Sequence, residues 1–359
     1  MGDFAAAGAW PGVLGRVAGG DELTESEARG AMERILSGEA TAVQMAGFLM
    51  ALRTRGETPG EVAGFVAAMQ DAAAPLELPD PGATLDLVGT GGSKALSGGA
   101  FNVSTMASVV AAAAGATVCK HGNRKASSTS GSTDLLEALG VEVELDGAGV
   151  AACVRDSGVG FAFARMFHPA MRHAAPVRAE LGVPTVFNLL GPLSHPGRVG
   201  HQVIGVSDAG RVELVAGALQ RRGTTRSWVV HGNDGLDELT TTDATIVVEV
   251  TGSEVTGRFQ VTPEQVGLQR ATLGDISVGD PSRNAHAANA MLEGEQGPVR
   301  DMVALNAAAG LVVTGIADDL EAGVARVSEA IDKGQAAAVL GKLVAASRAI
   351  THAEADDAI

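Results

Sequence analysis

The sequence predicts an α/β protein in two parts, a small all-helical unit followed by a larger unit with a mostly parallel central sheet. Three observations carry that expectation. Helix starts with reciprocal caps crowd the first 75 residues, and no strand pattern interrupts them. A joint rich in proline follows, with Pro75, Pro79 and Pro81 close together. Beyond it, short β-rich runs alternate with helical patterns, as they do where helices cover both faces of a sheet. A chain of 359 residues also exceeds what one core of ordinary size holds.

The helical part is written in its caps. Thr24-x-x-Glu27, Thr41-x-x-Gln44 and Thr58-Pro59-x-Glu61 each put a hydroxyl at the N-cap and a side chain at N3 that can reach back to it. Pro59 sits at the first helical position, where its missing N–H costs nothing. Ala28, Met32, Ile35 and Leu36 form one apolar stripe, and Val62, Phe65, Val66 and Met69 another. The run 43–52 is apolar nearly all round and is expected to be the buried helix. Residues before Thr24 read as a loose, Ala/Gly-rich start. Strands are expected at 84–88, 116–119, 141–145, 159–163, 202–206, 227–231 and 244–250, with largely helical chain from about residue 282.

Composition excludes several classes. With 46% hydrophobic and 19% charged residues the chain has material for a core and is not disordered. A net charge of −16 argues against a general binder of nucleic acid or acidic membrane. Any anionic ligand must be held by local donors against that field. Cys119 and Cys153 make neither a disulfide framework nor a zinc spacing. The start Met1-Gly2-Asp3 lacks a basic leader region, and the longest low-polarity run, 106–119, is too short to cross a bilayer. The expectation is a soluble, cytoplasmic protein with no membrane partner.

The chemistry is concentrated between residues 89 and 132. Strand 84–88 runs into Gly89-Thr90-Gly91-Gly92, where backbone N–H groups can approach an anion, although the glycines alone equally describe a tight turn. Asn102-Val103-Ser104-Thr105 opens an apolar helix; it reads as ordinary capping and also as a phosphate site at a helix N-terminus. Lys120-His121-Gly122-Asn123-Arg124-Lys125 brings three cations into six residues, and five hydroxyl side chains follow up to Ser132. That is the composition of a polyphosphate cradle. Asp234-Gly235-Leu236-Asp237-Glu238 follows another strand, and its adjacent carboxylates suit Mg²⁺ shared with substrate phosphates. Arg178, a lone charge in an apolar stretch, either pairs with Glu180 or another acid, or clamps a substrate carboxylate.

These motifs, together with Phe187-Asn188-Leu189-Leu190-Gly191-Pro192-Leu193 and the run from Ala40 to Arg53, resemble the signature set of the anthranilate phosphoribosyltransferase family. The resemblance extends from about residue 20 to 350. It implies a helical domain over 1–75, joined by a helical segment near 170–195, on a donor-binding α/β domain over 84–350. That architecture is like the class III nucleoside phosphorylases and phosphoribosyltransferases, with the active site in the cleft and a homodimeric assembly. The implied reaction moves the phosphoribosyl group of phosphoribosyl pyrophosphate onto the amine of anthranilate or a related aminobenzoate. Carried over by motif, Gly89, Gly92, Ser93, Asn102, Ser104, Thr105, Lys120, Asn123, Arg124, Ser127, Ser128 and Ser132 hold the donor. Ser104, Asp237 and Glu238 hold Mg²⁺, while Gly89, Asn123 and Arg178 meet the acceptor. Lys120, His121 and Asn123 are the implied catalytic residues.

The chain departs from the family pattern in places. Ser93 stands where the family's glycine loop continues with Asp, and the nine residues from Ser93 to Phe101 are about three more than expected. Ala100 replaces a Thr, and Ser194-His195-Pro196 replaces Thr-Asn-Pro. These changes predict a weakened enzyme or a paralogue with another aromatic acceptor. A nucleoside phosphorylase and a non-catalytic nucleic-acid binder are the further alternatives.

Overall fold

The computed structural model describes residues 2–93, 95, 99–124 and 131–357. Seven strands form one sheet: β1 Leu85–Gly89, β2 Val118–Gly122, β3 Val159–Phe163, β4 His201–Gly205, β5 Thr224–Gly232, β6 Thr245–Gly252 and β7 Glu254–Val261. Their order is β3-β2-β1-β4-β5-β6-β7, with β1 to β5 parallel and β6 and β7 antiparallel. Strand order reverses at β1, so the loops leaving β1 and β4 part company at their carboxyl ends. Ligands in open α/β sheets bind in such a crevice.

Five helices precede the sheet: α1 Gly2–Ala6, α2 Ala9–Gly19, α3 Glu25–Leu36, α4 Ala42–Arg55 and α5 Pro59–Asp71. All three capping boxes form as the sequence predicts. The start is not loose, however. Trp10, Val13 and Val17 bury one face of α2, a period that its glycines dilute in the sequence. The central helix is α5 rather than α4, since α4 leaves Val43 82% exposed. Phe4, Trp10, Phe48 and Phe65 meet edge to face at 5.4, 5.6 and 5.9 Å, tying α1, α2, α4 and α5 together.

Within the sheet region lie α6 Val103–Ala113, α7 Ser132–Ala138, α8 Gly147–Ser157, α9 Ala164–Phe167, α10 Ala175–Leu181, α11 Phe187–Leu193 and α12 Val212–Arg222. After it come α13 Pro281–Leu292, α14 Pro298–Val313, α15 Leu320–Asp332 and α16 Gln335–Asp357. Alternate residues of β1 face two cores. Leu85 and Leu87 join α6, α14 and α15 on one side, while Val88 joins α12 and the N-terminal helices on the other. Val177, Phe187 and Leu190 of α10 and α11 belong to that second core. No helix among the described residues is long and apolar enough to cross a membrane.

Two strand expectations need correction. Residues 141–145 bury Val141, Val143 and Leu145 in strict alternation, yet they pair with no strand among the described residues; the Glu142 amide donates to Ser347 Oγ instead. Alternation reports burial of one face, not a ladder partner. Conversely, β7 is an exposed edge strand whose polar residues carry no apolar signal.

Candidate active site

The glycine loop lies at the β1/β4 crevice and is held from two sides. The Gly91 N–H donates to Asp237 Oδ2 at 2.7 Å, and Ser93 Oγ donates to the Gly235 carbonyl at 2.8 Å. From β4, Ser207 Oγ donates to the Gly91 carbonyl at 2.8 Å. A Cβ on Gly89 would stand 2.2 Å from Asp237 Oδ2, and one on Gly205 would stand 1.7 Å from the Asp237 carbonyl oxygen. Both strand ends must therefore be glycine for the acidic loop to cross them. A cavity of about 620 Å³ opens beside this junction, lined by Arg53, Gly91, Gly92, Asn188, Ser207 and Asp208 among others. At its mouth Arg211 forms an ion pair with Glu57, joining the β4 loop to the α4–α5 turn.

The carboxylates fit a divalent cation. Burial, and then the neighbouring Asp237, push the Glu238 carboxyl up to about 8, against the pull of Lys120. Asp237 is also raised by burial. Glu238 and Ser104 share a second cavity of about 10 Å³, room for one small ion or water. Among the described residues no three His, Cys, Asp or Glu side chains form a metal site by themselves. This is the donor set Mg²⁺ uses when substrate phosphates complete its shell.

Other predicted residues fall less simply. Lys120 is 3% exposed, its Nζ donating to the Leu87 carbonyl at 2.5 Å beneath the site floor. Asn123 is exposed at the end of β2, and Ser132 abuts Gly122 there. The Arg124 guanidinium is engaged bidentately by Glu137 at 2.6 Å and lies 5.5 Å over the Phe163 ring. Asn102 precedes α6 without capping it by its side chain; its N–H donates to Asn284 Oδ1 at 2.9 Å. Thr105 Oγ1 is buried with no partner among the described residues. Lys125, Ser127 and Ser128 lie outside the described residues. Arg178 forms no ion pair with a described residue; its guanidinium sits 5.2 Å over the Phe187 ring, and burial lowers its pKa.

His121 is packed against two further histidines, with ring centroids 5.2 Å from His168 and 5.6 Å from His195. Its Nδ1 meets the Gly191 carbonyl at 3.1 Å, which makes Nδ1 the protonated nitrogen of a neutral ring. Burial, and then the two neighbouring rings, hold its pKa well below the ordinary value. His168 is lowered to about 4 and His195 to about 3, both chiefly by burial.

Two family models match the chain. One describes the helical bundle domain of a glycosyl transferase family and covers residues 11–73; the other describes the α/β domain of that family and covers 81–337. Anthranilate phosphoribosyltransferase of Paramagnetospirillum magneticum is 51% identical over 333 residues, spanning 93% of this chain and 94% of that one. The chain belongs to the anthranilate phosphoribosyltransferase family. A crystal structure of the family's Thermus thermophilus member superposes with a TM-score of 0.88 at 46% identity, covering 94% of this chain and 99% of that one. The Saccharomyces cerevisiae member, solved in complex with phosphoribosyl pyrophosphate and Mg, gives 0.86 at 27% identity over 95% and 98%.

Sequence reasoning missed Asp86, Gln202 and Arg222, which form a buried polar chain behind β1. Asp86 Oδ2 takes Gln202 Nε2 at 3.4 Å, and Gln202 Oε1 takes Arg222 Nη2 at 2.6 Å. Burial raises the Asp86 carboxyl to about 6. A charge inside the apolar run of β1 was the available signal.

Proposed function

We infer that this chain transfers the phosphoribosyl group of phosphoribosyl pyrophosphate to the amine of anthranilate, releasing pyrophosphate, as a step of tryptophan synthesis. The observation that carries the reading is the acidic loop seated on the glycine loop at the β1/β4 crevice. Displacement at the anomeric carbon leaves positive charge on the sugar and builds negative charge on the departing pyrophosphate. Asp237, Glu238 and Ser104 would hold Mg²⁺, which would supply positive charge to that leaving group. The amide of Gly92 and the hydroxyls at the start of α6 offer fixed donors to the phosphates. Arg178, a half-buried cation with no acid paired to it among the described residues, suits the carboxylate of anthranilate. The aniline nitrogen is a neutral nucleophile, so Asn123 and the floor above Lys120 and His121 act by positioning it and the donor.

We further propose that the enzyme works in the cytoplasm as a homodimer, joined through the face of α4 that leaves Val43 uncovered; light scattering of the purified chain tests the assembly. Loss of anthranilate fluorescence with donor and Mg²⁺ tests the reaction. The expected kcat/KM is about 10⁴ M⁻¹s⁻¹ or more. A faster rate with another aminobenzoate would reassign the acceptor, and phosphorolysis of nucleosides without any transfer to an aminobenzoate would sink the reading.

A further inference from the structure

On its β4 side β1 pairs along five consecutive residues, and β2 pairs with β3 along five. Between β1 and β2 the register holds one pair, Leu85 with Val118. Beyond it two side chains occupy the ladder. Asp86 Oδ1 accepts the His121 N–H at 3.0 Å, and Lys120 Nζ donates to the Leu87 carbonyl at 2.5 Å. Parallel strands in a continuous ladder lie about 4.8 Å apart, too close to admit side chains between their backbones.

We propose that Asp86 is a positioning residue, wedged with Lys120 between β1 and β2 so that the two strands diverge toward the loops that grip the donor. Asp86 lies three residues before Gly89, and Lys120 lies three before Asn123. The wedge thus sets the separation of the glycine loop and the Asn123 loop. It is braced from behind. Gln202 Nε2 also donates to the Pro192 carbonyl at 2.9 Å, and Arg222 Nη1 donates to the Leu193 carbonyl at 2.5 Å. Asp86 is therefore coupled to the carboxyl end of α11 as well as to β2. Two buried charges are costly unless paired and hydrogen-bonded, and a sheet selected for stability alone is served as well by two apolar residues here.

The inference rests on the donor lying across those two loops, as the proposed function has it. Asp86→Asn keeps an acceptor for the His121 amide but removes the negative charge that favours the Lys120 ammonium. Donor affinity by calorimetry with Mg²⁺ is expected to weaken about 10–100-fold, with kcat falling by a similar factor and anthranilate KM within about two-fold of wild type. Adding Gln202→Glu, which returns a carboxylate to the same buried chain, is expected to restore part of the donor affinity. A loss of folded protein alone would lower the active fraction without moving donor affinity. Should Asp86→Asn not fold, Gln202→Leu removes only the brace and is expected to weaken donor binding about three-fold or more. Wild-type affinity in a folded variant overturns the wedge. A wild-type protein that neither binds nor uses the donor overturns the functional reading beneath it.

Discussion

The two flanks of β1 are built to opposite rules. Toward β4 the ladder is unbroken, and the strand ends are glycines pressed against the Asp237 backbone and side chain, a seat with no tolerance for an extra atom. Toward β2 the ladder stops after one pair, and the side chains of Asp86 and Lys120 take its place. The first flank locates the carboxylates by contact and the second spaces two loops by charge. One strand thus separates a rigid anion and cation seat from a braced opening.

Substitutions can break that contrast. The largest effect is expected on the β4 flank, where Gly205→Ala drives a methyl group into the Asp237 carbonyl and shifts the carboxylates proposed to hold Mg²⁺. Activity should fall at least about 10²-fold, with a higher Mg²⁺ requirement in a titration. Wild-type Mg²⁺ dependence would show that the seat can yield. Next, Arg178→Ala removes the cation assigned to the acceptor. Anthranilate KM is expected to rise about 30-fold or more, with donor KM little changed.

The β2 flank should instead reveal itself through pH. His195 accepts the Gly197 N–H at Nδ1 and meets the Cys119 carbonyl of β2 at 2.8 Å, and His168 lies in the same cluster. Both fold with pKa values of about 3 and about 4 against an ordinary 6.5, so the unfolded chain binds more protons between those limits. Their contribution is present above 6.5 and is lost as pH falls toward the folded values. Between pH 7 and pH 5 each should remove about 2 kcal/mol of stability, read as a falling urea midpoint. His195→Asn, which restores the residue of the resembling family, should abolish its share of that loss. An unchanged pH slope would contradict the buried neutral ring.

The smallest change is expected from Ser93→Ala, which deletes the 2.8 Å hydrogen bond to Gly235 and the longer one accepted from the Ala95 N–H. About 1 kcal/mol lost from loop closure corresponds to roughly a five-fold fall in kcat/KM. A loss of 10²-fold or more would mean that Ser93 touches the substrate.

Legibility in the sequence followed the range of the interactions. Thr24, Thr41 and Thr58 announced their helices because each cap is completed three residues later. The pairing of Asp237 and Glu238, and their place after a strand, were equally local. Asp86 was visible as a charge in an apolar run, but its partners stand 35 residues away at His121 and 116 away at Gln202. Gly89 read as an approach for phosphate, whereas the atom that excludes a methyl group there belongs to Asp237, which no local pattern names. Arg124 reads as part of the cradle, whereas its partner Glu137 lies 13 residues on, on the next helix, where no local pattern names it. The polar edge β7 and the unpaired segment 141–145 mark the same boundary from either side, since neither a missing stripe nor a perfect one says what lies alongside.

The chain has two tryptophans and no tyrosine. Trp10 lies in the core shared by the N-terminal helices, and Trp228 lies in the opposite core against Phe259. Intrinsic emission from this protein is therefore the sum of two indoles, one per core. Replacing either by phenylalanine leaves a private optical reporter, through which the melting of the bundle and that of the sheet can be watched separately.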